Sequence, residues 1–113
     1  MPRLDFYSNF KLFVKVQLEE SDVLIGRSSE CTVQLPDERV SRVHAVISKR
    51  DGGYSLQDHS LHGTRLNHTV VEGPVELKPG DRIYIEGFII VFQPDDVPPA
   101  AFQETPTSPV PKE

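Results

Sequence analysis

An all-β sandwich of two sheets is the fold this sequence predicts. Three observations predict it: apolar and polar residues alternate with a period of two, the apolar runs are short, and turn-forming residues separate them. No stretch keeps a helical period. Residues 4–7 open the series of candidate strands. Over residues 12–18, Leu12, Val14, Val16 and Leu18 point to one side while Lys15 and Gln17 point to the other, the pattern of a half-buried strand. Residues 23–26 and 32–35 are short candidates that end in polar loops. Residues 44–49 and 54–58 flank Asp51-Gly52-Gly53, a strong hairpin signal. Residues 64–66 and 75–77 follow; 82–85 comes after the turn Pro79-Gly80-Asp81, and 88–93 after the tight connection Glu86-Gly87. The run Phe88-Ile89-Ile90-Val91-Phe92 falls far short of the roughly 18 apolar residues of a membrane span and reads as a buried strand. Strands of a sandwich supply a rigid frame, so functional residues are expected in the loops at its ends.

The chain has 113 residues, enough for one hydrophobic core and too few for two. Its character changes at Pro94, after which Pro98, Pro99, Pro106, Pro109 and Pro111 occur with little apolar content. The expected organisation is a domain over residues 1–94 and a solvated Pro-rich tail or linker over residues 95–113. Of the net charge of −5, most sits in the tail: residues 1–94 hold 13 acids and 11 bases. A near-neutral domain lacks the basic excess that nucleic-acid binding requires, so neither DNA nor RNA is an expected partner. Cys31 is the sole cysteine, which excludes a disulfide framework and suits a reducing compartment. With no secretory signal at the amino terminus, the cytoplasm is the default location, with the nucleus left open. No membrane contact is expected, and a monomer or weak oligomer suffices.

Three clusters fall between candidate strands: Gly26-Arg27-Ser28-Ser29, then Val40-Ser41-Arg42-Val43-His44, then the segment Asp58-His59-Ser60-Leu61-His62-Gly63-Thr64-Arg65-Leu66-Asn67. Each is weak alone, because such short motifs arise by chance. Together and in this order they resemble the forkhead-associated family, whose pattern is Gly-Arg, then Ser-x-x-His, then Ser-x-Asn-Gly-Thr-x-x-Asn. The resemblance covers about residues 4–93. It implies a sandwich of about eleven strands and a module that recognises phosphothreonine-containing protein segments, without cofactor and without catalysis.

Read from their chemistry, these residues suit a dianion site. The guanidinium of Arg27 offers planar, paired donors that match phosphate oxygens. Ser41 has a hydroxyl to donate, backbone N–H groups of its loop add more donors, and the neighbouring Arg42 supplies a second cation or a contact to the peptide. The resemblance assigns Arg27 and Ser41 to the phosphate. It makes His44 structural, its ring tying the Ser41 loop to a neighbouring loop. Gly26 lets the chain turn beside Arg27; Gly63 and Thr64 hold the third loop, and the amide of Asn67 ties backbone groups together. Leu61, His62 and Arg65 are the expected peptide contacts, and Arg39 and Arg42 are further cations near the ligand.

His62 stands where the family usually has the Asn that grips the peptide backbone, and Leu61 where Thr or Ser is frequent. An imidazole is more rigid and differently aimed than an amide, and its protonation would add a cation beside the phosphate. At Leu61 the backbone N–H can still serve the phosphate. The principal rival function is a phosphate-independent interaction or oligomerisation module on the same fold. A hydrolase triad of Ser41, His44 and Asp58 lacks a nucleophile elbow. A metal site on His59, His62 and His68 lacks supporting Cys or acidic ligands. In the tail, Thr105 and Thr107 each have a proline or serine-proline nearby, and their phosphorylation would create a ligand for this domain or for a second copy.

Overall fold

The computed structural model describes residues 2–93. The eleven strands are β1 (Arg3–Ser8), β2 (Lys11–Gln17), β3 (Val23–Gly26), β4 (Val33–Gln34), β5 (Ala45–Arg50), β6 (Gly53–Asp58), β7 (Arg65–Leu66), β8 (Thr69–Val70), β9 (Val75–Glu76), β10 (Arg82–Ile85) and β11 (Phe88–Gln93). They form a six-stranded sheet in the order β2-β1-β11-β10-β7-β8 and a five-stranded sheet in the order β4-β3-β5-β6-β9. All pairings are antiparallel except β3 with β4. This is the predicted two-sheet sandwich, with the strand number that the resemblance implied.

Alternation builds the core. Leu4 and Phe6 of β1, Ile83 and Ile85 of β10, and Phe88, Ile90 and Phe92 of β11 face inward from the larger sheet. Val23 and Ile25 of β3, Ala45 and Ile47 of β5, and Tyr54 and Leu56 of β6 meet them from the smaller one. The rings of Tyr54 and Phe92 stand 6.1 Å apart between centroids and link the two layers. Among the described residues no helix is long and apolar enough to cross a membrane.

Turn chemistry sets the registers. Arg50 pairs with Gly53, so the Asp51-Gly52 pair forms the connection, both residues at positive φ (49° and 82°), as a tight hairpin with right-handed twist demands. The same device joins β1 to β2 through Asn9 and Phe10, at φ 53° and 65°, with Ser8 opposite Lys11. Asn tolerates that conformation; Phe rarely does, which is why this turn is hidden in the sequence.

Two sequence expectations need correction. Alternation predicts Leu12 on the same side as Val14, Val16 and Leu18, but the register shifts between Phe6 and Tyr7: Phe6 faces Val14 and Tyr7 faces Leu12. Phe13 is the extra residue of this bulge, which re-aims the side chains beyond it. Leu12 therefore stands outside the core, while Phe13 lies edge-on to Phe6 and Phe88 at 6.3 and 6.1 Å. The short β8 was also unforeseen, since Thr69-Val70 is exposed on both residues and shows no alternation. The expected boundary at Pro94 and the tail lie outside the described residues.

Phe6 is fully buried, and its ring meets Phe13. Phe6→Ala should lower unfolding free energy by about 3–5 kcal/mol, read as a reduced urea midpoint at unchanged slope.

Candidate functional site

The three sequence clusters meet at one end of the sandwich, where β3 runs out against the loop that precedes β5. The backbone there is continuously paired: His44 N–H donates to Ile25 O (2.8 Å), Arg27 N–H to Ser41 O (2.9 Å) and Ser28 N–H to Arg42 O (3.1 Å). Glycine at position 26 is a packing requirement. A Cβ there would lie 2.8 Å from the Arg42 carbonyl carbon and 2.9 Å from His44 N, and closer still to Arg42 O. Only a residue without a side chain lets the two backbones approach this far.

Arg27 is thereby brought beside Ser41. Its Nε donates to Val40 O at 2.9 Å, which anchors the guanidinium on the Ser41 loop and leaves the two η nitrogens of an exposed side chain. Among the described residues no carboxylate pairs with Arg27 or with the exposed Arg42. Arg39 differs: it is held by Asp37 through two contacts of 3.0 and 2.8 Å and lies 3.5 Å from Glu86. That pairing holds the Asp37 carboxyl well below its ordinary range, at about 2, and occupies Arg39, which was expected as a further cation near the ligand.

His44 joins two loops from a fully buried position. Ser41 N–H donates to Nδ1 at 3.0 Å, so that nitrogen carries no proton; Nε2 then carries it and donates to Gly63 O, also at 3.0 Å. His59 N–H donates to His44 O at 2.9 Å and adds a second tie between the same segments. Ser41 Oγ in turn accepts from Leu61 N–H at 3.0 Å and keeps its own proton to donate elsewhere. The backbone N–H of Leu61, expected to be open to a phosphate, is thus engaged by Ser41, while the Leu61 side chain is 90% exposed.

The 58–64 loop has its own internal brace. Asp58 Oδ1 accepts from Ser60 Oγ (2.6 Å), Thr64 Oγ1 (2.7 Å) and Ser60 N–H (3.1 Å), and Ser60 Oγ accepts from Gly63 N–H (2.6 Å). Partial burial pushes the Asp58 carboxyl up, but the hydrogen bonds from Ser60 and Thr64 outweigh it and its pKa lies below the ordinary value. Thr64 is fully buried and Gly63 sits at φ 98°, a conformation suited to glycine. Asp58 and Ser60 are the positioning residues that the sequence reading left without a role. The available signal was Asp-x-Ser, in which a carboxylate accepts the N–H two residues on.

Other expected residues lie nearby. His62 and Arg65 are exposed and line a shallow depression of about 280 Å³ with Gly63, Tyr84 and Glu86; the Arg65 guanidinium lies 5.8 Å from the centre of the Tyr84 ring. Asn67, at φ 57° in the β7–β8 turn, accepts from Arg82 N–H and donates to the Asp81 carboxylate, both at 3.1 Å. Its amide ties one backbone group and one side chain, where ties between backbone groups were expected. Ser41, His44 and Asp58 do not make a triad: both ring nitrogens of His44 are bonded to backbone, and Asp58 to its own loop.

Gly26→Ala should cost about 1–3 kcal/mol by overpacking, with amide chemical-shift changes centred on Arg42 and His44. Asp58 gives a pH signature. Its folded-state pKa is below the ordinary 3.8, so its stabilisation is complete above that value and is lost as pH falls through the folded value. Asp58→Asn should therefore be less stable than the parent at neutral pH, and the gap between their urea midpoints should close in acid.

Comparison with known proteins agrees with this architecture. A family model described as FHA domain matches residues 23–86. The FHA domain-containing protein FhaB of Mycobacterium tuberculosis is 32% identical over 81 residues, which is 71% of this chain and 52% of FhaB; the chain thus spans about half of that relative's length. Among solved structures, the FhaA FHA domain complexed with the intracellular domain of Rv3910 superposes with a TM-score of 0.73 at 29% identity, covering 82% of this chain and 100% of that one. An FHA domain from an analysis of phosphothreonine-dependent FHA domain interactions gives 0.73 at 28% identity, covering 85% and 98%. With the family model matching more than half of its residues and its fold matching throughout the sandwich, this chain belongs to the FHA domain family.

Proposed function

We propose that this chain binds phosphothreonine-containing segments of partner proteins in regulated assembly or signalling, with Arg27 and Ser41 as the phosphate ligands. The observation that carries the reading is the convergence of Arg27, Ser41 and the 58–64 loop on one rim, with no described acid neutralising Arg27 or Arg42. A dianion there meets the η nitrogens of Arg27 as paired charge-assisted donors and receives the Ser41 hydroxyl proton. Arg42 adds a second positive charge at longer range. The amide of Leu61, resting on Ser41 Oγ, is positioned to transfer its hydrogen bond to a phosphate oxygen.

Little of this site has to be arranged on binding. The Arg27 guanidinium is held on Val40 O, and the Ser41 backbone on His44, so ordering of loops subtracts less from affinity. The exposed residues next in line, Leu61, His62 and Arg65, form the surface for the peptide around the phosphate. His62 supplies one donor and one acceptor to a peptide backbone in place of an amide. The role of Gly26, His44, Gly63, Thr64 and Asn67 in this reading is to hold the three loops in register. Support of a general kind comes from the similar FHA domain analysed for phosphothreonine-dependent interactions. Thr105 and Thr107, a candidate ligand within the same chain, lie outside the described residues.

Calorimetric titration with a degenerate phosphothreonine peptide pool, and with phosphoserine and unphosphorylated pools, tests the reading. Arg27→Ala should weaken phosphothreonine binding about tenfold to a hundredfold, the range of one or two charge-assisted hydrogen bonds at about 1.5–3 kcal/mol. Equal binding of the unphosphorylated pool, indifferent to Arg27→Ala, would establish a phosphate-independent interaction module instead.

A further inference from the structure

Next to the phosphate end the chain holds a further cation, Arg65, that no described acid neutralises. Arg65 opens β7, and the register of the sheet sets its neighbours: Tyr84 stands opposite it on β10 and Val70 opposite it on β8. Opposite residues of antiparallel strands point to the same face, so the three side chains share one side of the sheet. The Arg65 guanidinium lies 5.8 Å from the centre of the Tyr84 ring, within cation–π range. A planar guanidinium that rests on an aromatic face keeps its N–H groups along its edge, where an acceptor can meet them. Tyr84 thus restrains a long, exposed side chain without using its donors. Arg65, His62, Val70, Tyr84 and Glu86 all line the depression of about 280 Å³. Glu86 lies 3.5 Å from Arg39, which shares its charge. His62 follows Leu61, whose N–H rests on Ser41 Oγ at 3.0 Å, so the depression adjoins the phosphate end through a short stretch of backbone.

We propose that this depression is a second anion subsite, which takes the carboxylate of an Asp or Glu lying a few residues from the phosphothreonine of the partner segment. Arg65 is the residue that sets the preference. The inference rests on the phosphothreonine reading given above and names a further requirement on the same ligand. The carboxylate receives paired N–H groups from the guanidinium edge, and its methylene stem lies against Val70, which is 54% exposed. Because Tyr84 already restrains the guanidinium, little side-chain entropy is lost when the carboxylate arrives. Glu86 works in the opposite direction and disfavours an anion placed elsewhere in the depression. It also decides between anions: a second phosphate carries nearly two charges, more than one guanidinium beside a carboxylate neutralises, whereas a single carboxylate matches it. An exposed pair of this kind contributes modestly, which suits a residue that selects among phosphorylated segments while Arg27 and Ser41 hold them.

Phosphothreonine peptide pools test this, with Glu, Gln or Lys fixed in turn at each position within about four residues of the phosphothreonine. The parent chain should bind the Glu pool about twofold to fivefold more tightly than the Gln pool at one position, the range of an exposed ion pair. Arg65→Gln should bring that ratio to about one. Arg65→Glu should invert the preference toward Lys at the same position, a gain that a misfolded chain cannot show. A parent chain that nowhere prefers Glu over Gln overturns the subsite. So does a preference that survives Arg65→Gln, since another cation would then be responsible. Phosphoserine fixed at the same position and preferred over Glu overturns the carboxylate assignment. The two readings fail separately: phosphate-dependent binding with no Glu preference refutes the subsite alone, whereas equal binding of phosphorylated and unphosphorylated pools refutes the phosphothreonine reading and this subsite with it.

Discussion

The buried imidazole of His44 is the interaction on which the recognition end depends. One ring nitrogen accepts from the Ser41 backbone and the other donates to the Gly63 carbonyl, so a single side chain sets the distance between two loops that are remote in sequence. Both bonds use part-buried polar backbone groups, and losing the ring would remove the partner of each. A neutral ring meets this demand with one donor and one acceptor.

Around this bridge, the charges are divided between occupied and open. Arg39 is shared between Asp37 and Glu86, and Asp58 is consumed by hydroxyls of its own loop. Arg27 and Arg42 have no such partners among the described residues. In a domain close to neutral overall, selectivity for an anion cannot come from a long-range field. In the proposed reading it comes from short-range geometry, with Arg27 and Arg42 standing next to the Ser41 hydroxyl.

Much of the fold was legible because alternation and turn residues speak locally. Asp51-Gly52 declares its hairpin, and the in-out pattern of β5, β6, β10 and β11 places the core. The β1–β2 bulge was not legible, since Leu12-Phe13-Val14 satisfies alternation in either register and only the partner strand decides. Nor was the Asn9-Phe10 turn, where the backbone asks of Phe what Gly does more readily. At the site, the residue types named their chemistry, but the sequence carried no sign of which hydrogen bonds were already taken. Leu61 N–H, Arg39 and Asn67 each have partners that only three-dimensional proximity reveals. Asp58 and Ser60 were passed over because a carboxylate and a hydroxyl two residues apart look like solvated loop until the buried Thr64 is seen to need them.

Arg3 and Gln93 face each other on adjacent central strands, at the end of the sandwich away from the Asn9-Phe10 and Glu86-Gly87 turns. Entry and exit points of neighbouring antiparallel strands are about 5 Å apart. A unit with such a doorway can be spliced into a surface loop of another polypeptide while parting the host backbone by little more than one residue's width. Its reading rim would then face outward from whatever carries it.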